Sequence, residues 1–272
     1  MRKYLILPLL AITIMLAACS KQTTEITAEG STTVLPLAQK AAEVYMDAKP
    51  EVSISVRGGG SGVGITSLIS GTTQMAMSSR EIKKDETAEA QANNIHPYEN
   101  IICMDAIALI VHPSNNMDNL TKEQVKDIFA GRIKNWEELG GPDRQIVAVS
   151  RDSASGTFEA FSELALDKEK VRQDALMQAS NQGVANIISN TPGAIGYVGL
   201  GYITAKTKAV SINGVKPAIE TVLRKDDKYT FSRPLYIYTN GAPAGEVKNF
   251  LDFITGKDGQ KIAKDLGFVP LK

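Results

Sequence analysis

Arg151-Asp152-Ser153-Ala154-Ser155-Gly156-Thr157-Phe158 is the stretch on which the reading of this chain turns. Ile146-Val147-Ala148-Val149 just before it is short and apolar and reads as a buried strand. Phe158, Phe161, Leu164 and Ala165 after it recur at i, i+3, i+4 spacing, one face of a helix. A strand, a turn of small polar residues and a helix start together suit an anion. The first N–H groups of a helix have no intrahelical partner, and the helix dipole places partial positive charge there. Ser155 and Thr157 add hydroxyl donors, and Arg151 adds a fork-shaped cation able to bind two oxygens at once. The octet also fits a plainer role, with Ser155 capping the helix and Arg151 paired with Asp152 or another surface carboxylate.

Outward from this octet the pattern recurs. Glu25–Glu29 reads as a strand, Gly30-Ser31-Thr32-Thr33 as its turn, and Val34 to about Ala48 as a helix with Pro36 in its first turn. Val52, Ile54 and Val56 alternate as a strand, Gly58-Gly59-Gly60-Ser61-Gly62 is the turn, and Val63, Ile65, Leu68 and Ile69 begin a helix. A glycine run lets backbone N–H groups approach a ligand closely. It is no P-loop, because no Lys follows at the required place, and Val63 breaks a dinucleotide spacing. Gln74–Met77 is a short strand ending in Ser78-Ser79-Arg80, and Ile101–Val111 is a long apolar one. Val171–Met177 reads as helical, as does Asn181–Ile188, and Ala194–Gly199 reads as a strand. Residues 203–230 read as irregular around a turn at Asn213-Gly214. Arg233–Thr239 is a strand, and helices near Glu246–Ile254 and Asp258–Leu266 close the chain. Strands alternating with helices predict parallel α/β sheets covered on both faces, with ligands bound outside the strands' carboxyl ends. All four polar turns fall at such ends and read as parts of one site.

Lys+Arg and Asp+Glu both total 30 in 272 residues, so no general basic field draws the chain to nucleic acid. An anion must be held by local geometry. Residues 1–18 read as a lipoprotein signal peptide: Arg2 and Lys3, an apolar run from Tyr4 to Leu16, then Leu16-Ala17-Ala18-Cys19. Cys19 is the expected lipidated residue, residues 19–24 a tether, and lipid chains there would hold the protein to a membrane surface. Loss of Arg2 and Lys3 leaves 28 basic against 30 acidic residues. Cys103, in Ile101-Ile102-Cys103-Met104, reads as a small buried hydrophobe, and Trp136 as a packing anchor in a loop. The only histidines are His96 and His112, and no HExxH, metal-spaced Cys/His set or GxSxG elbow is present. No metal, no cofactor and no catalysis are expected. A phosphate-ester hydrolase is the alternative from another class.

Taken together, Gly30-Ser31-Thr32-Thr33, the Gly58–Gly62 turn with Ser61, Arg151-x-x-x-Ser155-Gly156-Thr157, Ala194-Ile195-Gly196-Tyr197-Val198 and Arg233-Pro234-Leu235-Tyr236 resemble the phosphate-binding proteins of the bacterial phosphate-specific ABC transporter. The resemblance runs from about Ile26 to the C-terminus. It implies a two-lobed periplasmic-binding-protein-like (type II) α/β fold with two crossover hinge segments, Ile107–His112 and Arg233–Tyr238. Lobe one would hold 25–107 plus 213–272, and lobe two 108–212. Inorganic phosphate would sit between the lobes on Thr32, Thr33, Ser61, Ser79, Arg151, Ser155, Gly156 and Thr157. The implied protein is a monomeric, extracytoplasmic, lipid-anchored receptor that delivers phosphate to permease subunits. Better-known members carry an Asp where Ser79 stands, so a hydroxyl takes the place of the usual acceptor for the ligand's proton. That departure keeps sulfate or molybdate open as ligands. Arg80 is expected to be structural or at the rim, paired with Glu81 or Asp85.

Overall fold

Alternating apolar residues and turn chemistry produce most of the elements where the pattern places them. The computed structural model describes residues 23–226 and 228–271; the leader and Cys19 lie outside the described residues. The first strand, β1 (Thr24–Gly30), leads into α1 (Leu35–Ala48), where Leu37, Ala38, Ala41, Ala42 and Tyr45 form the buried stripe. Next come β2 (Val52–Gly58), α2 (Ser61–Ile69), β3 (Met75–Ser78) and α3 (Lys84–Ala92). The strand predicted at Ile101–Val111 is longer, β4 (Pro97–Val111). Its first residues are polar and gain strand structure only through their neighbour, so apolar patterning does not show them.

After β4 follow β5 (Asn119–Leu120) and α4 (Lys122–Ala130), whose start obeys the capping pattern. Thr121 Oγ1 accepts from the Gln124 amide at 3.1 Å and Gln124 Oε1 accepts from the Thr121 amide at 2.8 Å. Trp136 opens a short 3-10 turn rather than a loop, fully buried, and its Nε1 donates to the Gly193 carbonyl at 3.0 Å. Then come β6 (Val147–Arg151), α5 (Gly156–Leu164), β7 (Leu176–Gln178), α6 (Asn181–Asn190) and β8 (Ala194–Gly199). The chain ends with β9 (Lys208–Ile212), α7 (Ile219–Leu223), β10 (Ser232–Asn240), α8 (Gly245–Thr255) and α9 (Lys257–Asp265).

Two stretches correct the sequence reading. Val171–Met177 is not helical: Arg172 and Asp174 pair with each other, and the segment's end becomes β7, hydrogen-bonded parallel to β6. Residues 203–230 are not wholly irregular, because β9 pairs with β4 and β5, partners about 90 to 100 residues away in sequence. The Asn213-Gly214 turn forms as predicted, with φ of 52° and 82°.

The strands follow the order β2-β1-β3-β10-β4-β8-β6-β7. Parallel pairing holds within β2-β1-β3 and β8-β6-β7, but β10 runs antiparallel to both β3 and β4, and β4 antiparallel to β8. The sheet is therefore mixed, not wholly parallel. β4 pairs with β10 through Ala106 and with β8 from Ile107, so one strand serves both halves.

Two main apolar cores flank this junction. The first holds Ile26, Leu37, Met77, Cys103, Leu235 and Phe250. The second holds Ile107, Phe129, Trp136, Phe161, Tyr197 and Phe231, with Phe161 stacked on Tyr197 at a centroid distance of 3.9 Å. The chain changes core between Cys103 and Ala106, and again between Phe231 and Leu235. The expected crossover Ile107–His112 begins just past the first of these points, and Arg233–Tyr238 begins within the second. Val222, Tyr229 and Phe231 pack in the second core, so the expected boundary at 213 does not coincide with the change of core. Among the described residues no helix is long and apolar enough to cross a membrane.

Candidate anion-binding site

The carboxyl ends of β1, β2, β3 and β6 converge where the two halves face each other. Gly60, at φ 101°, lets α2 begin directly against the other half; a β-carbon there would lie 2.5 Å from the Ala154 carbonyl oxygen. Two amides of the glycine turn are bonded to protein rather than open to a ligand, contrary to expectation. Gly60 N donates to Gly30 O at 2.9 Å, and Gly62 N donates to Ala154 O at 3.0 Å across the gap. The glycine turn serves close approach, and Ser61, in the first turn of α2, carries the polar function.

All eight predicted residues come together. Thr33 Oγ1 and Thr157 Oγ1 lie 2.8 Å apart, 124 residues apart in sequence. Ser61 Oγ accepts from the Ser79 amide at 3.0 Å and sits 3.3 Å from Ser79 Oγ, which is 3.5 Å from Thr157 Oγ1. A β-carbon on Gly156 would overlap Ser61 Oγ and come within 2.9 Å of Ser79 Oγ, so only glycine allows this approach. Ser155 is the N-cap of α5, and its hydroxyl accepts from Phe158 N at 3.2 Å. The capping role expected of Ser155 is thus formed, and the cap takes up the Phe158 amide while the two earlier amides of the helix lie beside the cluster.

Among the described residues Arg151 forms no ion pair with a carboxylate. It is 1% exposed, its Nε donates to Gln178 O at 3.0 Å, and its Nη2 donates to Ala179 O at 2.9 Å and Thr32 Oγ1 at 3.1 Å. Its Nη1 is buried and has no hydrogen-bond partner among the described residues. Burial pushes the guanidinium below its ordinary pKa, and the neighbouring Tyr197 opposes that shift. A buried cation and a spare donor in a ring of hydroxyls form a local electropositive site in a chain of zero formal charge.

Three further residues build the cluster and are missed by sequence reasoning. Arg233, read only as part of a crossing strand, is buried and donates to Ser79 O at 2.9 Å and Thr157 Oγ1 at 3.0 Å. Its charge is matched by Asp105, whose Oδ2 lies 3.1 Å from Arg233 Nη2. Burial lowers the Arg233 pKa and raises that of Asp105, while their mutual attraction opposes both shifts. Asp105 had a signal, as a lone charge inside the apolar run from Ile101 to Val111. Asn181, fully buried at the start of α6, donates to Thr32 Oγ1 and Thr33 Oγ1, both at 3.1 Å. An asparagine at a helix start reads as a cap, so nothing in the sequence marks it.

Arg80 turns away from the cluster. It binds both carboxylate oxygens of Glu86, at 2.7 and 2.6 Å, and the carbonyl of Glu81. Its Nε lies 2.8 Å from Glu159 on α5, close but poorly aligned for a hydrogen bond. The structural role is as expected, but the carboxylate partners are Glu86 and Glu159, not Glu81 or Asp85. Among the described residues no group of His, Cys, Asp and Glu is placed to hold a metal.

A family model described as a PBP superfamily domain matches residues 17–258. The phosphate-binding protein PstS of Bacillus subtilis (strain 168) is 36% identical over 253 residues, spanning 92% of this chain and 82% of that protein. PstS of Borreliella burgdorferi is 33% identical over 286 aligned positions, with 100% of each chain covered. A phosphate ABC transporter substrate-binding protein from Clostridium perfringens, solved with bound phosphate, superposes with a TM-score of 0.85 at 33% identity. That match covers 92% of this chain and 100% of the other.

Proposed function

The chain belongs to the PstS phosphate-binding proteins of the PBP superfamily, and on that premise we propose that its interlobe cluster encloses inorganic phosphate. The observation that carries this reading is Arg151, a buried cation with a spare donor and no carboxylate. The proposed ligands are Thr32, Thr33, Ser61 and Ser79 from one lobe, and Arg151, Ser155, Gly156 and Thr157 from the other. Ser155 acts through the helix start it caps, and the Gly156 and Thr157 amides add the dipole end of α5. We take lobe one as residues 24–103 with 233–271, and lobe two as the segment between; the change of core supports this, with Val269 reaching into the second core.

Phosphate would draw donors from both lobes, so only the closed state uses all of them, and binding shifts the population toward closure. The protein acts by binding rather than by catalysis, as a phosphate-capturing subunit of an ABC transporter. Delivery to permease subunits, a monomeric state, and anchoring outside the cytoplasm through a lipid on Cys19 complete the proposal. Ser79 supports a second reading in which sulfate also enters, because no carboxylate of the cluster is left to meet an unprotonated oxyanion.

Calorimetric titration of the phosphate-stripped full chain in detergent tests the assignment. Tight phosphate binding with weaker sulfate binding is expected; sulfate binding alone moves the ligand, and silence toward both removes the assignment. Gly156→Ala probes closure. Its β-carbon collides with Ser61 and Ser79 only when the lobes meet, so phosphate affinity is expected to fall by about 10- to 100-fold. The phosphate-free melting temperature should barely move, and an unchanged affinity would show that the closed approach is not needed for binding.

A further inference from the structure

The hydrogen bonds of the cluster fix which way its hydroxyls point. Gly199 N donates at 3.1 Å to the side chain of Asn181, and a backbone N–H only donates, so the atom facing it is Oδ1. Both amide hydrogens of Nδ2 are thereby aimed across the gap at Thr32 and Thr33. A hydroxyl has two accepting lone pairs and one proton. Thr32 Oγ1 already accepts from Asn181 and from Arg151, so its proton can only be donated. Thr33 Oγ1 accepts from Asn181 and, more weakly, from Arg233 at 3.5 Å, which turns its proton toward Thr157. Thr157 Oγ1 then accepts from Thr33 and Arg233, and its own proton must also be given away. With Arg151 Nη1, the protons of Thr32 and Thr157 are the donors left to the cluster, Thr33 having given its own to Thr157. Only the Ser61–Ser79 hydroxyl pair, whose protons are free to reverse, retains accepting capacity.

We propose that Asn181 is a positioning and specificity-determining residue that sets the Thr32 hydroxyl and, through Thr33, the Thr157 hydroxyl as donors, so that the site favours dianionic over monoanionic phosphate. This rests on the interlobe cluster being the phosphate site. Dianionic phosphate, with one proton, finds one acceptor at Ser61–Ser79; the monoanion, with two, leaves a proton facing donors. Sulfate, with none, meets no such conflict but leaves the Ser61–Ser79 acceptor unused, so it binds more weakly than the phosphate dianion.

The surrounding charged and titratable groups do not produce this selection. Arg151 on β6 and Arg233 on β10 remain donors throughout. The oxygens of Asp105 on β4 are taken by Arg233 and the Leu200 amide. Burial pushes Tyr197 on β8 up to about 12, and likewise Tyr202, which lies just after that strand and donates to Thr32 O. The changing species is the ligand.

Phosphate and sulfate affinities of the full chain, measured by calorimetry at about pH 5.5 and about pH 8, test this. In the parent protein phosphate binding should tighten as the dianion replaces the monoanion, while sulfate binding stays level. Phosphate affinity that is flat or falls with pH overturns the proposal. In Asn181→Ala the freed lone pairs of Thr32 and Thr33 can turn to accept. Phosphate affinity should then drop about 10-fold at the higher pH and less than about 3-fold at the lower. An equal loss at both, or no loss, assigns Asn181 a merely structural part. If the variant does not fold, the parent's two pH profiles still decide. Arg151→Ala separates the two readings: full phosphate affinity there removes the site itself, whereas its loss beside an unaltered Asn181→Ala profile removes only the role of Asn181.

Discussion

Arg151→Ala should abolish measurable high-affinity phosphate binding, weakening it by at least about 100-fold. The guanidinium is buried against Gln178 O, Ala179 O and Thr32 Oγ1, with Nη1 still to be satisfied and no carboxylate within ion-pairing distance among the described residues. Charge-assisted bonds to a dianion contribute most where water is excluded, and here they supply charge that no other unpaired cation of the cluster offers. Removing the side chain also removes a desolvated charge, which offsets the lost bonds to the two carbonyls. The phosphate-free melting temperature is therefore expected to stay near that of the parent, while the rise produced by added phosphate disappears. Titration and thermal melts on the same sample check both halves. Retained affinity would mean that the anion is held elsewhere.

Asp105→Asn has its largest effect on stability. Arg233 is buried, and Asp105 is the carboxylate that balances it. The neutral amide leaves that cation uncompensated, at a cost of about 3–5 kcal/mol. For a chain of this size that corresponds to a fall of roughly 10 °C in melting temperature. Asp105→Asn combined with Arg233→Met is expected to recover most of the stability, since the uncompensated buried cation is gone and the amide oxygen can still accept from the Leu200 N–H. It should not recover phosphate binding, because Arg233 also holds Thr157 Oγ1 and the carbonyls of Ser79 and Gly156. A single variant that melts within about 1 °C of the parent would show that the pair is not the balancing interaction described.

Local chemistry was sufficient wherever an element is specified by its own residues. Pro36, the Thr121–Gln124 capping pair and the Asn213-Gly214 turn each state their conformation within a few positions. The strand–turn–helix units ending at Thr33, Ser61 and Thr157 are legible for the same reason, and their resemblance to known phosphate-binding proteins made one site of them. Reading failed where a segment's state depends on a distant partner. Leu176–Gln178 and Lys208–Ile212 become strands because β6, β4 and β5 supply hydrogen bonds, and neither sequence demands it. The first four residues of β4 and the antiparallel insertion of β10 share that cause.

The sequence by itself determined the α/β class and the polar turns at strand ends, while the eight proposed site residues came from resemblance to known phosphate-binding proteins. The class and the turns follow from periodicity, turn chemistry and side-chain type, which act over a few residues. Tertiary structure alone decided that the Gly60 and Gly62 amides bond to protein, that Arg80 reaches Glu159, and that Asp105 neutralises Arg233 rather than Arg151. It alone decided the direction of each hydroxyl proton, through Asn181. Such facts depend on which donors and acceptors meet across the gap between lobes, and hydrogen bonds between residues more than a hundred positions apart leave no local trace.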